Sequence, residues 1–400
     1  MSTTFSGAEV PWADPAAGED ESAQRDLNLL REAVRKVVTG AIAPEVAAME
    51  RNGSMPDTVF KALVETDFHA VGIPARYGGA GAGLLEAVVV IEEVARVSAA
   101  ASVIPAQGFV ASCTLGGFES DSEQGAILSA IAKGEIVATS PLAGSSAPGV
   151  AAKSGLDGWT LEGAFDWVPW PYPDAEVALL AEVHADGGPR LLALRLQGDA
   201  ARISENRPML GLRGTPLRSL GFSGVEVPSG AVTADARRSQ LVRWRTARLV
   251  AAAAQATGVA IMALEEAGFY VRERRQFGRA IGDFQALRVM IADMATRVES
   301  ARHLTYAAAV ATTSAPGPQA QLLAASAKVH ASEVAMGVAT DAVQLFGGYG
   351  FMKDYPVERA MRDAKMIQLL AGERLEQQCT IADILAEKGS RPDSAGSRPG

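Results

Sequence analysis

Cysteine, histidine and aromatic residues are all scarce in this chain of 400 residues: there are two cysteines and four histidines, and Phe, Trp and Tyr together make up 6%. Cys113 and Cys379 are far apart and lack CxxC spacing, so neither a disulfide framework nor a thiolate zinc site is expected, and a reducing cytoplasm is the default location. His69, His184, His303 and His330 are scattered, which predicts no metal site. Positive charge is not in excess either. The formal net charge is -9, whereas nucleic-acid binding shows as a basic face. Long hydrophobic runs are missing too. The longest apolar stretch, Leu249 to Leu264, is interrupted by Gln255 and Thr257 and is too short to span a bilayer, so no membrane span is expected. No basic segment followed by an apolar core opens the chain.

What is present is ordinary for a soluble globular enzyme: 48% hydrophobic and 21% charged residues. The length suits two or three packed units. Residues 1–24 are Pro/Gly/Ala-rich and acidic and read as a disordered leader. Residues 25–135 read as a helical domain. Leu27, Leu30, Val34, Val37 and Val38 repeat at helical spacing, Pro56 and Asp57 mark a helix start, and Leu84 to Val97 forms an apolar helix. Residues 136–237 carry short apolar runs between turn residues, Val177–Ala181, Leu191–Leu196 and Leu220–Val227, the pattern of a small antiparallel β domain. Helical periodicity returns over residues 238–388, and 389–400 read as a flexible tail. The excess of alanine and glycine carries little chemical information by itself.

Two segments carry chemistry. One is Tyr270-Val-Arg-Glu-Arg274-Arg-Gln276-Phe277-Gly278, followed by Phe284-Gln285. The other is Gln344-Leu-Phe-Gly347-Gly348-Tyr-Gly-Phe-Met, running on to Arg362-Asp-Ala-Lys365 and then Ala371-Gly372. Taken alone, Arg274 is a solvated charge on a basic helix face. As long motifs, the two segments resemble the acyl-CoA dehydrogenase family, and the resemblance runs nearly the whole length of the chain. It implies an α+β, mainly α fold: an N-terminal helical domain, a central antiparallel β domain and a C-terminal four-helix bundle that oligomerises. The cofactor it implies is FAD, bound largely in a neighbouring subunit. There Arg274 pairs with the pyrophosphate, a task suited to a planar guanidinium. Gln276 and Phe277 touch the adenosine, and Gln344 with Gly347 and Gly348 forms a second adenine-side contact where glycine permits close backbone approach. Tyr349 to Phe351 is expected in the subunit interface.

The segments expected to serve this chain's own flavin and substrate depart from the family pattern. Thr139-Ser-Pro-Leu-Ala-Gly-Ser145-Ser146 resembles the family's Thr-Glu-Pro-x-Ala-Gly-Ser-Asp loop. There the threonine contacts the flavin edge and the serine matching Ser145 approaches the CoA pyrophosphate. Here Ser140 and Ser146 replace the two acids. Trp167-Val-Pro169 matches a Trp-Ile-Thr segment whose tryptophan packs on the flavin, so Trp167 is a cofactor candidate or a plain core residue, and Pro169 has neither hydroxyl nor N–H. In most members a glutamate stands at Ala371 and removes the substrate's α-proton. Some place it on an earlier helix before an arginine, and that pair here is Ala247-Arg248. Trp244, Ala247 and Arg248 share one helical face by their spacing, with Trp244 and Arg248 as candidate thioester contacts. No catalytic residue therefore stands at the usual positions. Glu373 is the weak replacement candidate, at a position where the family has a cofactor-binding threonine, while Glu376 and Asp363 read as structural charges.

The resemblance implies α,β-dehydrogenation of an acyl-CoA or carrier-bound acyl thioester, with electron-transfer flavoprotein or another acceptor. Three readings stay open. The chain is one subunit of a heteromeric enzyme, a silent subunit completing a partner's FAD site, or a homomeric flavoenzyme with a relocated base or altered chemistry such as flavin oxygenation.

Overall fold

The computed structural model describes residues 21–142, 149–170, 176–196, 201–234, 238–314 and 317–389. The leader up to residue 20, the tail from 390 and Ser145–Ser146 lie outside them. Six helices come first: α1 (Glu21–Val37), α2 (Val46–Asn52), α3 (Asp57–Glu65), α4 (Leu84–Val97), α5 (Val103–Leu115) and α6 (Glu123–Ala132). Leu27 and Val34 are buried on the inner face of α1, and Val38 continues that face into a short π-helical turn. Pro56 stands just before α3 in extended conformation, where its missing N–H costs nothing.

Seven strands follow: β1 (Ile136–Thr139), β2 (Val150–Ser154), β3 (Gly158–Pro169), β4 (Glu176–Ala185), β5 (Gly188–Leu196), β6 (Arg202–Ile203) and β7 (Leu217–Pro228). The sheet is mixed, which corrects the expectation of a wholly antiparallel domain. β1 and β2 lie end to end along one edge of β4, both parallel to it, with Ile136 opposite Glu176 and Val150 opposite Val183. The pairs β2–β3, β3–β7, β4–β5 and β6–β7 are antiparallel. Alternating apolar residues specify which face is buried and leave strand direction open. The sheet has its own core, built around Leu161, Phe165, Val183 and Phe222.

The C-terminal unit contains α7 (Arg238–Glu273), a two-residue hairpin β8 (Arg275–Gln276) and β9 (Arg279–Ala280), then α8 (Gln285–Ser314), α9 (Pro318–Phe346), α10 (Pro356–Ile367) and α11 (Arg374–Gly389). The apolar stretch within α7 belongs to a helix long and apolar enough to cross a membrane, and 94% of its most apolar window is buried inside the molecule. Its neighbours α4, α5, α8, α9 and α10 supply that burial. Alanine does the packing: Ala253, Ala256, Ala260 and Ala263 of α7 and Ala324, Ala331, Ala335 and Ala339 of α9 are fully buried. Small side chains let helix axes approach closely, so the alanine excess has a structural use. One core runs through both helical units.

An internal ion network also joins those units. Arg31 of α1 donates to Glu92 (2.8 Å) and Glu93 (2.9 Å) of α4, Arg96 pairs with Glu265 of α7 (2.5 Å), and Arg302 of α8 reaches Glu92 (3.2 Å). Burial pushes the Glu93 carboxyl up, but bonding to Arg35 and the charges of Arg96 and Arg31 outweigh it, and the net value falls to about 2.

Candidate active site

Three segments distant in sequence meet around a cavity of about 20 Å³, the size of one water. Leu142 follows β1, Pro169 ends β3 and Leu370 follows α10, and all three line it. α5 contributes Gln107, whose buried Oε1 has no hydrogen-bond partner among the described residues, and α7 contributes Gln255. Thr139 is fully buried at the end of β1 and donates its hydroxyl proton to Pro169 O (2.6 Å). Its one donor is thus committed within the protein.

Trp167 sits in a β-bulge. The register of β3 against β7 shifts between Phe165 and Val168, and Trp167 takes a left-handed conformation (φ 60°) that is uncommon outside glycine. The bulge leaves Trp167 47% exposed rather than in the sheet core, and its carbonyl accepts from Leu142 N (2.9 Å). Such bulges re-aim a side chain.

On α7, the shared face of Trp244, Ala247 and Arg248 is buried. The Arg248 guanidinium lies 4.3 Å from the Trp244 ring centroid and donates to the Pro141 and Leu142 carbonyls. Trp244 Nε1 donates to Ser140 Oγ (3.3 Å). Burial pulls Arg248 down to about 10, opposed by the negative charges of Glu376 and Glu182. Among the described residues, Arg248 therefore anchors the segment after β1.

The turn after α10 is strained. Ala371 has φ 59° and Gly372 φ 100°. Gln377 Nε2 donates to Ala371 O (3.2 Å), and Lys328 Nζ, from the middle of α9, donates to Gln368 O (2.8 Å) and Gly372 O (2.6 Å). Lys328 is 1% exposed, and burial lowers it to about 8 against the raising effects of Glu376, Glu333 and Glu373. Glu373 is exposed. Glu376 is half-buried, and its Oε2 lies 2.6 Å from where a Cβ on Gly372 would be. Asp363 is buried, and its carboxylate accepts from Leu212 N (2.7 Å), which ties α10 to the segment before β7. Sequence reasoning missed Lys328. The available signal was a lysine flanked at helical spacing by Ala324, Ala331 and Ala335, which are all buried.

The second constellation lies at the far end of α7 and α9. Arg274 is half-buried, and its guanidinium lies 5.4 Å from the Tyr349 ring centroid. Tyr270, Phe346, Tyr349 and Tyr355 form an aromatic cluster that joins the two helix ends, with Tyr270 stacked on Phe346 at 4.0 Å. Gln276, Gln344, Gly347 and Gly348 are exposed, and Phe277 is 91% exposed at φ 52° on the tip of the hairpin. A Cβ on Gly348 would meet nothing within 4 Å, so no internal contact requires glycine there. Tyr349, Phe351 and Met352 extend this exposed edge.

Comparison with known proteins gives this geometry a context. The family model described as "Acyl-CoA dehydrogenase, N-terminal domain" matches residues 24–135, and "Acyl-CoA dehydrogenase, C-terminal domain" matches residues 240–385. A Mycobacterium bovis protein named "Probable acyl-CoA dehydrogenase fadE25" is 34% identical over 94% of this chain and 99% of its own length. The Acetobacterium woodii protein named "Caffeyl-CoA reductase-Etf complex subunit CarC" is 31% identical over 90% of this chain and 97% of its own. The structure of butyryl-CoA dehydrogenase from Megasphaera elsdenii superimposes with a TM-score of 0.82 at 25% identity, covering 90% of this chain and 98% of that one. The chain belongs to the acyl-CoA dehydrogenase family.

Proposed function

We propose that this protein is a subunit of an oligomeric FAD-dependent acyl thioester dehydrogenase, in which it completes the FAD site of a glutamate-bearing neighbour and does not itself abstract the substrate's α-proton. One contrast carries the reading. The residues matching the family's neighbour-facing FAD contacts, Arg274, Gln276, Phe277, Gln344, Gly347 and Gly348, all keep the expected types and form an accessible edge. Both positions that would hold the base, Ala371 and Ala247, are alanines.

The accessible edge fits the adenine and pyrophosphate half of FAD. Arg274 offers a fork of donors to phosphate oxygens, Gly347 and Gly348 let a ligand approach the backbone, and Gln276 and Gln344 offer amides to an adenine edge. The flavin half would fall to the neighbour. There the bound FAD would accept the β-hydride while the neighbour's carboxylate takes the α-proton. Fit to a flavin of this chain's own is poorer. Thr139 spends its donor on Pro169 O, Pro169 has no N–H, and Glu373 is exposed. Ser145, the expected contact to the CoA pyrophosphate, lies outside the described residues. An electron-transfer flavoprotein is a suitable acceptor for the assembly, in keeping with the Etf complex named for the Acetobacterium woodii relative.

The test is flavin stoichiometry. Co-expressed with a glutamate-bearing relative, the assembly should hold one FAD for every two chains, read from flavin absorbance against protein mass. One FAD per chain in protein purified alone would overturn the assignment.

A further inference from the structure

Burying a lysine in an alanine-rich helix interface is expensive, because the ammonium loses its hydration and must find partners inside. Among the described residues, Lys328 finds them at the turn, in the carbonyls of Gln368 and Gly372, one on each side of Ala371. The same turn is clasped from α11 by Gln377 and tied to α9 again through Gln368 Nε2 to Glu333 (3.2 Å). Ala371 itself stays in the left-handed region, a conformation that is unfavourable for a non-glycine residue and persists only where surroundings impose it. A turn that had merely lost its carboxylate could relax to ordinary backbone angles. This one is held from two helices.

We propose that Lys328 is the positioning residue of the Ala371 turn: its two bonds keep position 371 aimed at the thioester site, so the seat of the missing base survives as a preformed socket. The inference rests on the reading of this chain as base-less, and it adds that at position 371 the loss is of the side chain alone and has left the backbone of the turn in place. Burial lowers Lys328 to about 8, and the negative charges of Glu376, Glu333 and Glu373 oppose that lowering. Leu370, the residue before the socket, lines the cavity shared with Leu142 and Pro169, so the turn borders the segments that resemble the family's flavin-edge contacts.

The chemistry needed to read the socket is simple and needs no oxidant. In Ala371→Glu the new carboxylate would take an α-proton from a bound acyl-CoA, leaving the enolate of the thioester. Return of a deuteron from D2O restores the thioester with hydrogen replaced by deuterium. Butyryl-CoA and octanoyl-CoA are the probes, with exchange followed by mass spectrometry and thioester affinity by calorimetry. Ala371→Glu should exchange α-protons at least 100-fold faster than the wild-type chain. Adding Lys328→Met should remove most of that gain and leave thioester affinity within about twofold, a separation that general loss of folding would not give. Lys328→Gln, which keeps a donor for one carbonyl, should fall between them and serves if the methionine variant does not fold.

A second readout needs neither ligand nor activity. Amide hydrogen exchange over residues 368–377 should quicken about tenfold or more in Lys328→Gln, while α7 and α8 stay protected. The proposal is overturned if Ala371→Glu stays inert with the turn still protected, if Ala371→Glu/Lys328→Met exchanges α-protons as fast as Ala371→Glu, or if the turn keeps its protection without Lys328. Rapid exchange by the wild-type chain would instead sink the base-less reading, so the two failures are distinguishable.

Discussion

The two ends of α7 differ in how their polar groups are used. At its C-terminal end, the β8–β9 hairpin and the Gly347–Gly348 turn are exposed, and Arg274 beside them is half-buried. Near its N-terminal end, Trp244, Ala247 and Arg248 are buried against the segment that follows β1. Polar side chains in the second region are bonded to one another and to nearby carbonyls: Thr139 to Pro169, Trp244 to Ser140, Arg248 to Pro141 and Leu142. In the first region the side-chain amides of Gln276 and Gln344 are exposed, and a Cβ on Gly347 or Gly348 would meet nothing within 4 Å among the described residues. On the function proposed above, the exposed groups at one end are those available to a neighbour, and the groups bonded to one another at the other end are those of this chain's own site.

Acid should separate the two regions most strongly. The catalytic-side segments lean on the N-terminal helices, where Glu93 of α4 holds Arg31 and Arg35 of α1 together with Arg96, which reaches Glu265 of α7, whereas the neighbour-facing edge is built by the C-terminal ends of α7 and α9, the β8–β9 hairpin and the turn at Gly347–Phe351. Glu93 is lowered in the folded state to about 2 from an ordinary 4.5. Its contribution is therefore present in full above pH 4.5 and is lost as pH falls from 4.5 towards 2, on the order of 3 kcal/mol in total. Urea midpoints at pH 6, 4 and 3 should fall accordingly, with a smaller fall in Arg35→Met.

Next in size is Arg274→Ala. Losing charge-assisted bonds worth about 1.5–3 kcal/mol should weaken FAD retention by the assembly roughly 10- to 150-fold, measured by flavin release on dilution. Unchanged affinity would erase the contrast between the two ends. A smaller effect is expected at Glu266 on α7, half-buried beside Glu265, where burial and then the Glu265 charge raise the carboxyl to about 7. A raised carboxyl destabilises the fold increasingly as pH rises from 4.5 through 7. Glu266→Gln should therefore gain roughly 1–3 kcal/mol at pH 8 and nothing at pH 4, read from thermal or denaturant unfolding. The smallest effect should come from Trp167→Phe, on the β3 bulge beside the segment that follows β1. The assembly's FAD content should stay the same, and a drop comparable to that of Arg274→Ala would mean that this chain's own flavin pocket is in use.

Much of the fold was legible because periodicity and punctuation are local. Leu84–Val97 is helical with the bounds expected, Asp57 begins a helix, and all three apolar runs lie in strands. The Trp244–Arg248 face followed from spacing, and the structure adds the stacking. Strand direction was not legible, because β1 and β2 run parallel to β4 through pairings remote in sequence. Nor was the bulge at Trp167, since a left-handed tryptophan is imposed by its surroundings and not by its own preference. The same holds for Lys328. Its partners are backbone carbonyls 40 and 44 residues away, and carbonyls leave no mark in a sequence. The inward lean of Glu376 over Gly372 was hidden for a related reason, because it depends on where α11 docks on α9.

The central claim is that this chain cannot remove an α-proton by itself, and anaerobic rapid mixing tests it most directly. The purified chain, supplied with FAD, is mixed with straight-chain, branched and steroid-like acyl-CoAs while flavin absorbance is followed. The account predicts no bleaching by the chain alone and bleaching once a glutamate-bearing partner is assembled with it. Rapid bleaching by the lone chain with any of these thioesters would contradict it and would direct attention to Glu376 and Glu373 as sources of a relocated base.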